Sequence, residues 1–422
     1  MQEIKINSNI TLKYIPMSKL KTTTMGVYIH RPLCKEEASL NALLPYVLKR
    51  SCKKLPSTEA ISKELERLYG AALEGTVIKR GEDQIIYFDL ETISEKYALN
   101  KEKLLLELTQ LMLCILFEPD VDENGFDSAI FEQEKINARD RILALVNDKR
   151  SYASIRCQQE MCESDNFAIS RLGTVEDIDA ITAKSLYNHY KKIISSSPID
   201  IYICGDAEVE EIKTLIKEYT NNIEFTTPKL PQTSILKKST AKKDVTEEMD
   251  VTQGKLAIGF RTNIAPTDSD YAALTVFNSV FGAGAHSKLF NNVREKLSLA
   301  YYASSQLEKY KGLLVVNAGI EFENFEKAYK ECLIQLDEIK KGNISELEFS
   351  SSIQSIINSY NSFYDDQRYM QSFYLGEHIA GTNRDIEQIK AMIEKVTPDD
   401  VKSVAHKLEL DTVYFLKGKE AK

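Results

Sequence analysis

The same run of structural signals occurs twice along this chain, and such a repeat restricts the fold to two copies of one unit. Near the end of each half, Asp179-Ala180-Ile181-Thr182-Ala183 is matched by Glu394-Lys395-Val396-Thr397-Pro398, with Thr182 and Thr397 set 215 residues apart. Each threonine stands where a helix N-cap is wanted, because its hydroxyl can accept from an orphan N–H of the first turn. An amphipathic helix follows in both cases. A closing strand comes next, Ile199-Asp200-Ile201-Tyr202-Ile203 in one half and Thr412-Val413-Tyr414-Phe415-Leu416 in the other. The halves also open alike, on Thr24-Met25-Gly26-Val27-Tyr28-Ile29 and Leu256-Ala257-Ile258-Gly259-Phe260.

Within a half, helices follow strands and also follow one another. Leu40, Leu43, Leu44, Val47 and Leu48 have helical spacing and make one apolar face. Ser57 or Thr58 after Pro56 predicts the cap of a second helix carrying Ile61, Leu65 and Leu68, which Gly70 stops. Strand-like alternation resumes near Val77 and at Ile85–Leu90. Helix pairs set against a meandering sheet imply an α+β fold, each half a mainly antiparallel sheet with helices on one side. The expected domains are residues 1–220 and 255–422. Residues 221–254, with Pro228, Pro231 and a polar, lysine-rich stretch, are the expected linker.

A net charge of −9 without a block of like charge argues against nucleic acid or an anionic membrane surface as the main partner. The apolar run Leu104 to Phe117 is broken by Glu107 and Gln110 and is too short for a membrane span, so a core helix is expected. The start, Met1-Gln2-Glu3-Ile4-Lys5, lacks the basic-then-apolar pattern of a signal peptide. Seven cysteines, an odd number without paired metal spacing, read as reduced, buried thiols, and a cytoplasmic protein is expected. The histidines are His30, His189, His286, His378 and His406, and no two are three or four residues apart, so no helical metal-ligand pair is available.

The stretch Phe281-Gly282-Ala283-Gly284-Ala285-His286-Ser287-Lys288-Leu289-Phe290, running into Val293-Arg294-Glu295-Lys296-Leu297-Ser298-Leu299-Ala300-Tyr301, resembles the second-half signature of the pitrilysin/insulysin and mitochondrial-processing-peptidase family. That pattern is a glycine-rich turn, a serine, a Leu-Phe pair and then Arg-Glu-Lys-x-Gly-Leu-Ala-Tyr. Ser298 stands where the family prefers glycine. The resemblance implies two similar halves that form a clamshell around an interior chamber. It also implies a His-x-x-Glu-His motif on the first helix, where two imidazoles one turn apart bind zinc and the glutamate is the general base. A later glutamate is the third ligand.

Placed on that pattern, the motif falls at Ala42-Leu43-Leu44-Pro45-Tyr46, so both histidines and the base are replaced. Pro45 is expected to kink the helix or to make it start late. Phe131-Glu132-Gln133-Glu134-Lys135 resembles the segment leading to the third ligand, whose own position falls on Arg141. Arg141 reads either as a fixed cation in place of a metal or as part of a solvated face with Arg139 and Asp140. The resemblance further implies that Arg294 and Tyr301 contact substrate peptide, the alternative being an arginine paired to Glu295 or Glu308 and tyrosines filling the core. The chain is most similar to the inactive branch of this family in Gram-positive bacteria. It is expected to be non-catalytic, to hold no cofactor of its own, and to bind a peptide or small-protein substrate. Pairing with an active homologous subunit that supplies zinc is expected as well. A stand-alone peptide-binding clamshell or chaperone and an architectural subunit of a larger complex remain as alternatives.

Overall fold

The protein is described here from a computed structural model covering residues 1–226, 230, 233–235 and 241–419. Pro228 and Pro231 of the expected linker lie outside the described residues. The first half of the chain runs β1 (Gln2–Lys5), β2 (Ile10–Pro16), β3 (Thr22–Pro32), α1 (Lys35–Leu48), α2 (Thr58–Arg67), β4 (Ala72–Arg80), β5 (Asp83–Ile93) and α3 (Leu104–Phe117). It continues through a two-residue ribbon, β6 (Val121–Asp122) and β7 (Gly125–Phe126), to α4 (Ser128–Ala144), α5 (Lys149–Met161), α6 (Val175–Ala180), α7 (Ala183–Ser196), β8 (Ile199–Gly205) and α8 (Val209–Thr220). The second half runs β9 (Lys243–Met249), β10 (Gly254–Arg261), α9 (Tyr271–Phe281), a π-helix (Leu289–Lys296), β11 (Tyr302–Glu308) and β12 (Leu313–Ile320). It ends with α10 (Phe325–Lys341), α11 (Glu346–Ser362), α12 (Gln367–Ile379), α13 (Ile386–Glu394), α14 (Pro398–Ala405) and β13 (Glu409–Gly418).

The repeat is real at the level of hydrogen bonding. One sheet has the order β1-β2-β8-β3-β5-β4 and the other β11-β12-β10-β13-β9. Read from opposite ends, β4-β5-β3-β8-β2 and β11-β12-β10-β13-β9 agree strand for strand. In both the ladders are antiparallel except the last, β2 with β8 and β9 with β13, which are parallel. Thr182 and Thr397 each form a full capping box, with Ser185 and Asp400 as the reciprocal partners. Within the segment read as a linker, Lys243–Met249 forms an edge strand whose alternate residues are half-buried, as β9 has a neighbour on one side only.

Two compact units result. The first takes in residues 1–143, 169–232 and 363–375, and the second residues 144–168, 233–362 and 376–422. Each unit thus includes one segment from the opposite half of the sequence, and the two segments, carrying α5 and most of α12, occupy equivalent places in the repeat. In the first unit Met25, Val27 and Ile29 of β3 pack with Leu43, Leu44 and Val47 of α1 and Leu108, Met112 and Ile115 of α3. The opposite face of β3 receives α12, where Gln371 accepts from the Tyr28 hydroxyl at 3.2 Å and donates to Thr24 Oγ1 at 2.7 Å. In the second unit α5 lays Ala153, Cys157 and Met161 against Ala257, Val315, Tyr414 and Leu416. In both, a side chain of the helix rests over a glycine of the central strand. A Cβ at Gly26 would overlap Gln371, and one at Gly259 would overlap Met161. Six of the seven cysteines are buried, as expected; Cys34 is the half-exposed exception, at the cap of α1.

Beneath the first sheet lies a buried charged network. Lys13 Nζ donates to Asp200 at 2.9 Å and to the Tyr202 hydroxyl at 3.2 Å, while His30 Nδ1 pairs with Asp83 at 2.6 Å and His30 Nε2 lies 3.5 Å from Asp200. Burial alone would lower the His30 pKa, but the charges and hydrogen bonds of Asp83 and Asp200 outweigh it and raise it to about 10. Because this exceeds the unfolded value of 6.5, the protonated imidazole contributes its full stabilisation below pH 6.5 and loses it as pH rises through 10. Replacing His30 by Gln should therefore cost about 3 kcal/mol near pH 6 and progressively less toward pH 10. Urea-unfolding midpoints of the two proteins across that range provide the check, and a pH-independent gap would contradict the assignment.

Candidate functional site

Helix α1 begins at Lys35, so it does not start late: Pro45 lies inside it, in the last turn. A proline there removes one backbone donor, the partner of the Asn41 carbonyl, but the helix ends three residues later, at Leu48. The apolar face holds it in place, with Ala38, Ala42, Leu43, Leu44, Val47 and Leu48 all buried. Lys49 N–H closes the end on the Pro45 carbonyl at 3.3 Å. Asn41, one residue before the first lost ligand position, is fully buried; it donates to Gln84 at 2.8 Å and meets His189 Nε2 at 2.8 Å. Burial pushes the His189 pKa down to about 4, so this ring is a neutral strut for α1.

Two of the substituted positions touch. The Arg141 guanidinium carbon lies 3.5 Å from the centre of the Tyr46 ring, although the two are 95 residues apart in sequence. Tyr46 is held from its other end by a 3.2 Å hydrogen bond between its hydroxyl and Thr76 Oγ1 on β4. Arg141 Nη2 also donates to Glu134 at 3.1 Å, and Arg50 donates to the same carboxylate through Nε at 2.8 Å and through Nη2. Glu134 is 1% exposed, whereas the two arginines are each about one-third exposed. Burial opposes the charge on Glu134, but the hydrogen bonds from Arg50 and Arg141 outweigh it and hold its carboxyl below the usual range. Arg141 is thus set apart from its neighbour Arg139, which pairs with Asp179.

These residues do not fit zinc. Ala42 and Pro45 have no donor atom, Tyr46 is engaged with Thr76 and Arg141, and a guanidinium offers only N–H donors. Among the described residues no group of three or more His, Cys, Asp or Glu side chains is arranged to hold a metal ion. The C-terminal end of α1 is nevertheless pressed against the edge strand β4: Lys49 pairs with Glu74 at 2.8 Å, and a Cβ at Gly75 would come within 3.0 Å of the Pro45 carbonyl.

In the second unit, Arg294 lies in the π-helix, its guanidinium 4.7 Å from the Phe290 ring centre and its Nε 3.4 Å from Glu295. Tyr301 does not fill the core. It is 59% exposed at the start of β11, its N–H bonded to the Gly319 carbonyl at 2.8 Å and its hydroxyl donating to Glu321. Tyr302 is half-buried, and Arg150 lies over its ring at 4.2 Å. Between them, Ser298 has φ +51°, in the left-handed region. That conformation explains the family's glycine at this position, since only glycine adopts it without a Cβ penalty. Sequence reasoning had no sign of Thr76 or of the Arg50–Glu134 pair, because both depend on chain segments far apart in sequence.

Two measurements follow from this geometry. Ser298→Gly should raise stability by about 0.5–1 kcal/mol, seen as a higher urea midpoint at unchanged slope. Reinstating donors at three positions together, Ala42→His, Tyr46→His and Arg141→Glu, should give a chain that takes up about one zinc ion in competition with a chromophoric chelator, while the unaltered chain leaves the chelator loaded. Failure of the triple variant, correctly folded by circular dichroism, would mean that these positions do not converge as a ligand set.

A family model described as the peptidase M16 inactive domain matches residues 180–356. The chain is 38% identical to the probable inactive metalloprotease YmfF of Bacillus subtilis, over 98% of this chain and 97% of that protein. It is also 23% identical to the uncharacterized zinc protease YmxG of the same organism, over 84% of this chain and 86% of the other. Among solved structures, a conserved protein from Enterococcus faecalis aligns with a TM-score of 0.90 at 29% identity, covering 100% of this chain and 99% of that one. A donor set emptied of zinc ligands, on a duplicated α+β frame, fits these relatives: the chain belongs to the peptidase M16 family, as a homologue of its inactive metalloproteases.

Proposed function

We propose that this chain is a non-catalytic subunit that binds extended peptides and pairs with a homologue bearing an intact zinc motif. The observation that carries the reading is a strand edge beside Pro45 and Tyr46, at the positions where the family pattern would put the metal motif. Strand β4 ends its sheet, so among the described residues one side of its backbone has no neighbouring strand. The tight β4–β5 turn at Gly81-Glu82 makes Arg80 and Asp83 partners, and by the antiparallel alternation Leu73, Gly75 and Val77 turn their backbone groups outward. Arg171 covers the Val77 carbonyl at 2.9 Å. The outward groups of Leu73 and Gly75, next to Pro45 and Tyr46, remain available for a peptide to add as a strand. In the other unit, Tyr301 leads into β11, the equivalent edge strand, and its exposed ring together with Arg294 supports a second peptide contact.

Pairing accounts for a peptide-binding frame without its own metal, because zinc would come from the partner. The two Bacillus subtilis relatives, one an inactive metalloprotease and one a zinc protease, are consistent with such a pair. A peptide or small protein is the substrate class of the assembly, and a cytoplasmic location is part of the same proposal.

The pure chain should bind labelled extended peptides with micromolar-range affinity yet hydrolyse none, with or without added zinc. Affinity purification from the native cell should recover a second chain of similar size carrying His-x-x-Glu-His. Robust, chelator-sensitive turnover by the chain alone would sink the non-catalytic reading, and recovery without a homologue across several salt conditions would leave only a self-contained peptide binder.

A further inference from the structure

We propose that Arg141, braced on Tyr46 and adjoining the Arg50–Glu134 pair, forms a fixed cationic site that takes a single carboxylate from a bound peptide. The inference rests on the peptide-binding reading and deepens it to a substrate class: peptides that present a free C-terminal carboxylate or an Asp or Glu side chain at this subsite.

Charge counting comes first. Arg50 and Arg141 share one carboxylate, that of Glu134, while Lys49 is matched separately by Glu74. One positive charge is left over. Glu134 is buried and already bonded to both arginines and to Asn137, so it has little left to offer Arg141. Hydrogen-bond capacity points the same way. Arg141 has five N–H donors, of which Nη2 reaches Glu134, and its Nη1 is buried without a hydrogen-bond partner among the described residues. An unpaired donor on a charged group is costly, and a carboxylate at the exposed third of the guanidinium side chain would offset the surplus charge.

The group is also pre-oriented. The Tyr46 ring lies 3.5 Å from the guanidinium carbon, and Thr76 holds the tyrosine hydroxyl. A guanidinium fixed in this way loses little freedom on binding, and its planar fork matches the two oxygens of a carboxylate. The single surplus charge favours a monoanion over a dianionic phosphate. Position supplies the remaining argument. Tyr46 bonds Thr76 on the very strand whose outward backbone, at Leu73 and Gly75, is available to an extended peptide. A peptide laid there would run past Arg141 and could deliver a carboxylate to it.

The test uses the full chain and ten-residue fluorescein-labelled peptides in matched pairs. One pair differs only in a C-terminal carboxylate or amide, and the other, amidated throughout, only in an internal Glu or Gln. Fluorescence anisotropy should give about tenfold tighter binding for the acid member of one pair, and which pair responds identifies the source of the carboxylate. Arg141→Gln should bring that ratio close to one, whatever its effect on the affinity for the neutral member. Equal ratios in the two proteins would overturn the carboxylate site and leave peptide binding standing. If no peptide binds either protein, the peptide reading fails on its own. The site is then decided by thermal unfolding in sodium acetate against sodium chloride at equal ionic strength. Acetate should raise the midpoint of the unaltered chain and not that of Arg141→Gln, and an identical response in both would overturn the proposal.

Discussion

Close packing of a helix on the second face of the central strand is the constraint that both units share. Each central strand carries a glycine, Gly26 on β3 and Gly259 on β10, and over each a helix segment lays the end of a side chain, Gln371 or Met161, that a Cβ would have to displace. Those segments, most of α12 and all of α5, come from the opposite half of the sequence in each case. The apolar face of a sheet can be covered by the helices that directly follow its strands, as α1 and α3 cover β3. Its second face needs something else, because strands buried on both faces leave no room for a solvated side. The exchange of equivalent segments gives each unit that second cover. It also explains how a buried charged network, with Lys13, His30, Asp83 and Asp200, can exist under the first sheet without solvent.

At the lost metal site one set of electrostatic demands has been exchanged for another. A zinc site gathers acceptors around a central cation. Here the gathered groups are two arginines around one buried acceptor, Glu134, with the aromatic ring of Tyr46 stacked on one of them. Cation–π stacking then does what coordination would do, fixing the relation between α1 and α4 across 95 residues of sequence.

The sequence disclosed more of the frame than of its cross-connections. Thr182 and Thr397 were legible because a capping box is a local device, and α3 was legible because an apolar run of that length has few other uses. Ser298 could be flagged from the family's glycine alone, and its positive φ supplies the physical reason. The placements of α5 and α12 were not legible, since nothing in their amphipathic patterns says which sheet they will cover. Lys243–Met249 was read as part of a linker because its composition is polar, yet an edge strand tolerates such composition when half its residues face water. The stack of Arg141 on Tyr46 lay between these cases: both positions could be singled out in the sequence, but their contact depends on how α4 returns to the end of α1.

Pro45 shows that two demands on this region have come apart. In an active site the last turn of α1 would have to present a base and a second ligand at fixed angles, and a proline that removes the Asn41 carbonyl's partner would be a liability. Here the turn presents neither, and the proline is accommodated by an end that was about to lose its intrahelical bonds in any case. What has not been relaxed is the approach of this turn to β4. The Pro45 carbonyl stands where a Cβ at Gly75 would be tight, and Lys49 and Tyr46 both reach across to that strand. The contact keeps the outward backbone of Leu73 and Gly75 in a fixed position beside the end of α1.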